Sequence, residues 1–529
     1  MVIVKKIICL LLIFVMLVSA VACVGDPVNN DGVTGDAQDT TVDSNNVTTE
    51  PQTETEAQTE AQTEAQTEAQ TEPVSSDELS EEKYDGVFKA GYARTVITPT
   101  LPANIGTNVM TMVNDDLYAT CIAVNDGKNT ALLYTVDVKN IGPKVYATLK
   151  VRISTATKVP QDNIIISATH SHSAFTPIDP STIKDATLEK WTATLPSAMT
   201  NIAKEAIADM EDAEIYVGRA NTPNMAFVRR YRHADGTYSN KGTVAGLKST
   251  TPIVAHAAEA DDVLQMIRFV RENKKDIVMV NWQGHLASAI DEYPKTVTAD
   301  LAYYVRDRVE KKDNDILIAY FQGASGNLNL NSPVLGLQKY QNYQEVGRKL
   351  AQTVLDNVSV DKLTKAEAGE IKGTGTTFNA ERRTFSAARV AEATRVLELK
   401  EGSDEQKSLM VKYKFNTLYA AKSVISSTKD PTSKTREMAL SALSFGDLGF
   451  IGAPYEMFDD NGMQIKEASP YSMTFILTCA GGYWAYVPSE IYYTTYGGYE
   501  VDDTQFAMGV AEKAVAEFVR MLKELKGIA

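Results

Sequence analysis

Between residues 88 and 526, short apolar runs rich in β-branched residues alternate with longer segments in which apolar residues recur every three to four positions. The short runs predict buried strands, and the longer segments predict amphipathic helices. We expect strands at 119–124, 131–137, 276–282, 316–321, 448–452 and 472–478, and helices at 145–156, 188–210, 298–311, 343–357 and 504–525. This alternation predicts an α/β fold, with one large domain in which mixed β-sheets are flanked by helices.

Several predicted strands end in polar or glycine-rich loops. Three isoleucines at 164–166 predict a further buried strand, which leads into the motif Thr169-His170-Ser171-His172-Ser173. Four other strands lead into Gln283-Gly284-His285, Gln322-Gly323-Ala324-Ser325-Gly326-Asn327, Pro454-Tyr455-Glu456 and Gly481-Gly482-Tyr483-Trp484-Ala485-Tyr486. Because ligands bind at the carboxyl ends of strands in open α/β sheets, the sequence predicts one site built from these loops.

His170 and His172 are two of only five histidines in the chain. Positions i and i+2 of an extended segment point to the same side, so both imidazoles can face one site and bind a metal ion there. A pair of surface histidines that binds nothing gives the same pattern, and the pair alone leaves both interpretations open. His233 follows three arginines in a turn-rich loop, and we expect both His233 and His256 at the surface.

Residues 1–22 have the features of a secretory signal peptide: Lys5 and Lys6, an apolar run, and small residues before Cys23. The apolar run is shorter than the roughly 20 residues that a membrane-spanning helix needs. The four residues that end at Cys23 resemble a bacterial lipobox, which implies that Cys23 is lipidated. We therefore expect an extracytoplasmic protein that is lipid-anchored to the bacterial cell membrane.

Residues 23–86 are predicted to form a disordered acidic tether. They include four Thr-Glu-Ala-Gln repeats and too few apolar side chains to offset the entropy cost of ordering the chain. Residues 24–86 hold 17 acidic residues against Lys83 alone, a balance equal to the formal net charge of −16 of the whole chain. The rest of the chain is nearly neutral and has no basic stripe, so we expect no nucleic-acid partner.

Cys121 and Cys479 are the two cysteines that follow the tether. An extracytoplasmic pair could form a disulfide. Both cysteines lie in apolar, strand-like runs, however, and we favour buried free thiols.

The order of motifs resembles that of the neutral/alkaline ceramidases over residues 88 to 526. The matching segments are 90–99, 168–173, 281–285, 454–456 and 483–500, and Thr-His-x-His-Ser at 169–173 is the most specific. The resemblance implies that residues 87–529 form a zinc hydrolase domain similar to the N-terminal catalytic domain of that family. It also implies one Zn²⁺ per chain, held by His170, His285, Glu456 and Tyr486.

The same resemblance implies roles for three further residues. His172 would carry a proton to the leaving group, since a histidine titrates near neutral pH. Tyr499 would stabilise the oxyanion of the reacting carbonyl. The family places an arginine near the substrate, which here is Arg229 or Arg230, and we take Arg230 as the candidate.

Other interpretations stay open for the single residues of this set. Glu456 also fits a helix cap, Tyr486 a core aromatic, and His285 a buried structural histidine. One position departs from the family, because Asn329 stands where ceramidases have the serine of Gly-Asp-Val-Ser-Pro-Asn. With no hydroxyl at that position, we expect hydrolysis to use zinc-bound water.

The predicted function is zinc-dependent hydrolysis of an amide bond in a small molecule or in an N-acyl lipid such as ceramide. The alternatives are hydrolysis of a different ester or amide, and a non-catalytic solute-binding role at the cell surface. The expected partners are the substrate and, through Cys23, the membrane.

Overall fold

The computed structural model describes residues 86–528 except 107, 241–242, 245–246, 249–250, 337–341, 416 and 429–432. The predicted signal peptide, Cys23 and residues 23–85 of the predicted tether lie outside the described residues. From Gly86 onward, the chain falls within one compact unit. Among the helices of the described ranges, none combines the length and the apolar character needed to cross a membrane.

A nine-stranded mixed sheet forms the centre of the fold. Eight of its strands follow the spatial order Ile316–Gln322, Asp276–Trp282, Val263–Arg271, Glu211–Asn221, Lys89–Val96, Tyr118–Asn125, Thr130–Val136 and Ile164–Ala168. The ninth, Thr364–Ala366, pairs with Glu211–Asn221. The two strands at each end of this order are parallel to each other, and their neighbours are antiparallel.

A four-stranded sheet covers one face of the large sheet. Its strands have the order Lys372–Glu381, Thr435–Phe445, Leu448–Gly452 and Met473–Leu477. Apolar side chains from both sheets fill the space between them, and Phe445 contacts Phe88 and Phe269 of the large sheet at ring-centroid distances of 5.4 and 6.3 Å. This sheet-on-sheet core is the inner layer of the domain.

Helices cover the outer faces of both sheets. Those on the large sheet include Pro143–Thr157, Ala186–Ala208, Leu301–Lys312 and Tyr343–Asn357, and those on the smaller sheet are Asp459–Ala468 and Val510–Lys526. The helices Ala387–Leu397, Asp404–Lys412 and Leu418–Thr428 form a cluster with its own small apolar core. The domain is therefore layered as helices, sheet, sheet and helices.

Short elements complete the described fold. The short helices are Ser288–Glu292 and Tyr499–Asp503, with 3₁₀ turns at Gln161–Asn163, Pro180–Thr182 and Val360–Lys362 and a π-helical turn at Tyr492–Tyr496. The short strands are Ala103–Ile105, Asn108–Met110, Met112–Val113, Phe227–Val228, Tyr231–His233, Tyr238–Ser239, Thr243–Val244, Leu247–Lys248, Ile253–His256, Thr296–Val297, Leu328–Asn329, Glu456–Met457 and Tyr486–Val487.

The predicted α/β class, with mixed sheets flanked by helices, is confirmed. Each predicted strand and helix is present, with ends shifted by up to three residues except in the last helix, which was predicted at 504–525 and is observed at Val510–Lys526. Cys121 and Cys479 are buried free thiols, as favoured. Five long antiparallel strands were not predicted: Lys89–Val96, Glu211–Asn221, Val263–Arg271, Lys372–Glu381 and Thr435–Phe445. Polar residues are frequent in Glu211–Asn221 and Lys372–Glu381, because one face of each strand is only partly covered.

The surface positions expected for His233 and His256 are wrong. His233 is 1% exposed, and its ring nitrogens lie 2.8 Å from the carbonyl oxygen of Thr251 and 2.6 Å from Ser239 Oγ. His256 is half-buried and stacks on the ring of Phe227. Both histidines lie on short paired strands, which fold the turn-rich segment back onto the domain.

Candidate metal centre

Three imidazoles converge where the strands of the large sheet lead into their loops. The Nε2 atom of His172 lies 3.3 Å from His170 Nε2 and 3.1 Å from His285 Nε2. The ligand atoms of His170, His172 and His285 all lie within 4.8 Å of one another, which is close enough to share one metal ion. The predicted proximity of His170 and His172 is therefore present, with His285 as a third member.

His170 is fixed by the loop that follows strand Ile164–Ala168. Its backbone adopts a φ of 64°, which is uncommon for a residue other than glycine, and its N–H donates to the carbonyl of Val138. The ring Nδ1 donates to the carbonyl oxygen of Lys139 at 2.6 Å. This bond directs the Nε2 atom into the cluster, as outer partners of metal-binding histidines do.

His285 is held in a similar way beyond strand Asp276–Trp282. Its Nδ1 donates to the carbonyl oxygen of Ser325 at 3.0 Å, so that Nε2 faces the other two imidazoles. A side chain at the preceding Gly284 would overlap the indole ring of Trp282, which explains glycine at that position. Burial, followed by Arg229 and His170, lowers the pKa of His285 to about 3, and the ring is therefore neutral at pH 7.

Glu456 supplies a buried carboxylate to the cluster. Its Oε1 accepts a hydrogen bond from the Tyr483 hydroxyl at 2.5 Å. Its Oε2 lies 3.2 Å from His170 Nε2 and 3.9 Å from His285 Nε2, yet within the described chain it accepts no well-aligned hydrogen bond. Burial favours the neutral acid, but His170, His285 and the Tyr483 hydroxyl outweigh burial and lower the pKa of Glu456, which keeps it ionised.

Tyr486 lies beside Glu456 because the two residues are direct partners in a short parallel ladder. Side chains of paired residues project to the same face of a ladder. The Tyr486 hydroxyl lies 3.4 Å from the Tyr499 hydroxyl and accepts from Arg229 Nη2 at 3.3 Å. Tyr486 and Tyr499 therefore both adjoin the cluster, on the side that Glu456 occupies.

Arg229, rather than Arg230, borders this group. The Arg229 guanidinium lies 5.6 and 5.1 Å from the ring centroids of Tyr486 and Tyr499. The Arg230 guanidinium instead stacks on Tyr492, at 5.7 Å, and donates from Nε to the carbonyl of Gly497. Of the two arginines, Arg229 is therefore the one that contacts the tyrosines beside the cluster.

Glu500 holds both arginines. Its carboxylate accepts from Arg229 Nε at 2.6 Å and from Arg230 Nη2, and all three side chains are buried. Burial favours the neutral acid, but Arg230 and Arg229 outweigh it and lower the pKa of Glu500. One carboxylate therefore pairs with two buried guanidinium groups, and these three side chains together have a net charge of +1.

The donor set fits a zinc ion. Two ligands at 2.0–2.1 Å from a tetrahedral zinc lie about 3.3 Å apart, and Glu456 Oε2 lies 3.2 Å from His170 Nε2 and 3.9 Å from His285 Nε2. The buried Oε2 atom without an aligned donor is the atom that a cation would satisfy. Burial lowers the pKa of His170, but Cys479 and Glu456 outweigh it and raise the pKa, so a cation bound there would displace a proton.

Of the residues named from the sequence, the structure brings together His170, His172, His285, Glu456, Tyr486 and Tyr499, and it places Arg230 on the far side of Glu500. Sequence reasoning did not single out Tyr483, although its loop was among the selected strand ends. It also did not single out Lys139, whose carbonyl holds His170. The only feature of the sequence that could have indicated Tyr483 or Lys139 is that each follows a predicted strand.

No protein-family model matches the sequence, and no curated protein matches it significantly. Solved structures do match. A structure described as a ceramidase complexed with C2 has a TM-score of 0.62 and 16% identity, and the match covers 84% of this chain and 76% of that chain. The neutral ceramidase from Pseudomonas aeruginosa has a TM-score of 0.62 and 15% identity, with 84% and 75% covered. The chain has the ceramidase fold.

We expect Glu500→Gln to lower the free energy of unfolding by about 3–5 kcal/mol, because a neutral amide cannot balance two buried guanidinium groups. Urea denaturation followed by tryptophan fluorescence measures the change. Glu490→Gln is the matched control, since the Glu490 side chain is exposed, and its effect should stay within about 0.5 kcal/mol. Equal stabilities of the two variants would contradict the role given to Glu500.

Proposed function

We propose that this chain is a zinc-dependent hydrolase that cleaves a linear amide bond in an N-acyl lipid such as a ceramide. The observation that carries the proposal is the convergence of three imidazole nitrogens, two of which, from His170 and His285, also lie 3.2 and 3.9 Å from the ionised, buried carboxylate of Glu456. The fold shared with ceramidases, one of them described as complexed with C2, supports an amide substrate.

His170, His285, Glu456 and Tyr486 would hold the zinc ion. The first two have their outer nitrogens bonded to backbone carbonyls, which fixes the tautomer that a ligand needs. When bound, zinc polarises a carbonyl oxygen and lowers the pKa of water to about 7, which supplies a nucleophile at neutral pH.

His172 differs from the other two imidazoles. It is partly exposed, and in the described residues its Nδ1 has no hydrogen-bond partner to fix the ring. An imidazole whose Nδ1 is not fixed by a backbone carbonyl suits transfer of a proton to the leaving amine better than permanent ligation. Burial, followed by Lys139, lowers the pKa of His172, so it is neutral and can accept a proton.

Arg229 and Tyr499 would stabilise the developing oxyanion. Both adjoin the Tyr486 hydroxyl, and each carries an N–H or O–H donor in a buried setting, where hydrogen bonds to an anion are strong. We assign to Arg229 the substrate-side role that the sequence left open between Arg229 and Arg230. Asn329 has no hydroxyl that could act as a nucleophile, and its Oδ1 lies 3.5 Å from Arg229 Nη1.

We also propose that residues 1–22 are cleaved, that lipidated Cys23 anchors the protein outside the cytoplasm, and that residues 87–529 act as the catalytic domain beyond the tether. The support is the lipobox-like end of the signal segment and the acidic composition that follows it. Expressed with its own N-terminus, the full chain should incorporate labelled palmitate and fractionate with membranes, whereas Cys23→Ala should do neither. Equal labelling of both proteins would rule out this anchor.

Purified protein should contain about one zinc ion per chain by plasma mass spectrometry. His170→Ala, His285→Ala and Glu456→Gln should each reduce the zinc content to a small fraction, because each removes a ligand. His256→Gln, at a histidine outside the cluster, serves as the control and should retain zinc. Zinc-free wild-type protein that stays zinc-free on reconstitution would refute the metal centre.

His172→Ala should keep its zinc yet lose turnover by about 10²–10⁴-fold, since it removes the proton carrier and no ligand. The measurement pairs zinc content with hydrolysis of fluorogenic N-acyl sphingosines and of matched esters. Loss of zinc in this variant would instead make His172 a ligand. Wild-type protein that holds zinc but cleaves neither substrate class would point to a binding role.

A further inference from the structure

Lys139 is tied by its backbone to the candidate metal centre. It follows strand Thr130–Val136, its N–H donates to the carbonyl of Phe175 at 3.0 Å, and its carbonyl accepts from His170 Nδ1 at 2.6 Å. Two hydrogen bonds thus fix its Cα position beside a proposed zinc ligand. The lysine side chain starts from the wall of the site.

The Lys139 side chain is half-buried, but nothing in the described part of the chain pairs with its ammonium group. No carboxylate lies within 4.0 Å of Nζ, and no acceptor hydrogen-bonds to it there. The next lysine, Lys144, behaves as surface lysines do, because its ammonium lies 2.6 Å from the Asp179 carboxylate. A half-buried cation without a counter-ion is costly unless something else supplies the anion.

The ammonium acts on the same site as the imidazoles. After burial, Lys139 is the largest cause of the lowered pKa of His172. Burial also lowers the pKa of Lys139 itself, and Glu456 and Cys479 oppose that effect. Because the Lys139 carbonyl contacts the His170 ring and its side chain is half-buried, these influences agree with an ammonium that lies beside the cluster.

The charges around the cluster do not balance. Lys139, Arg229 and Arg230 are cationic, whereas Glu456 and Glu500 are the buried carboxylates that face them. These five side chains leave one positive charge in excess, and a cation held by the imidazoles and Glu456 would add to it. A buried site with this excess attracts an anion.

We propose that Lys139 binds an anionic group next to the scissile amide, and that N-acyl amino acids are therefore a substrate class of this site. The inference rests on the proposed amide hydrolysis and deepens it. In an N-acyl amino acid, one carbon separates the carboxylate from the amide nitrogen, so the amide can face the imidazoles while the carboxylate meets the ammonium. The head group of a ceramide has no charge to offer Lys139.

Two sulfonamide probes test this, since a sulfonamide replaces the amide without being hydrolysed. N-dodecylsulfonylglycine carries a carboxylate, and N-dodecylsulfonylethanolamine is its uncharged counterpart. Titration calorimetry with the full chain should show about tenfold or tighter binding of the glycine probe, as expected for one charge-assisted contact. Lys139→Met should abolish this preference, and Lys139→Arg should restore most of it.

Lys144→Met is the matched control, because it removes a nearby lysine whose ammonium is already paired at the surface, and it should keep the wild-type ratio. Equal affinities of the two probes in the wild type, no measurable binding of the glycine probe, or an unchanged ratio in Lys139→Met would each overturn the inference. Failure of the proposed hydrolysis is seen separately, as absent zinc or absent cleavage of N-lauroylglycine and N-lauroylethanolamine.

Discussion

The buried carboxylate of Glu456 is the group on which the arrangement of the site depends. Moving an ionised carboxylate out of water costs several kcal/mol, and the surrounding groups must offset that cost. The Tyr483 hydroxyl satisfies one oxygen, and the other faces the imidazoles of His170 and His285 without an aligned donor. The Nε2 atoms of both rings and that oxygen converge on one place, which is an arrangement that suits a metal ion.

Glu456 can reach this position only because segments distant in sequence are joined by backbone hydrogen bonds. The N–H of Thr478 donates to the carbonyl of Gln322 at 3.2 Å, and the N–H of Gly326 donates to that of Met457 at 2.8 Å. Gly326 has to be glycine, since a Cβ there would lie 2.5 Å from the carbonyl oxygen of Glu456. The loops after both sheets thereby form one rigid frame around the imidazoles.

The sequence predicts the α/β class and the strand-end loops, because buried strands are runs of apolar residues and the loops after them are polar. Histidine is rare in this chain, so His170 and His285 could be noticed. Glu456 is one of 68 acidic residues, and its selection depended on family resemblance. Choosing between Arg229 and Arg230 required the structure, since only the side-chain directions around Glu500 distinguish them. Lys139 lies beside His170 because the two loops contact each other in the folded chain, and the sequence around Lys139 does not reveal that contact.

The unpaired ammonium of Lys139 has no explanation in folding alone. Arg229 and Arg230 show how this fold treats buried cations, because both bind the carboxylate of Glu500. Lys139 lacks such a partner within the described residues, and its charge would oppose that of a metal ion held by the imidazoles. A neutral side chain at position 139 would cost less free energy to bury, and it would not repel a zinc ion held by the imidazoles. A lysine at position 139 is explained if the molecule that binds at the site carries a negative charge. That charge would then pair with the ammonium of Lys139, which no protein group does in the described residues.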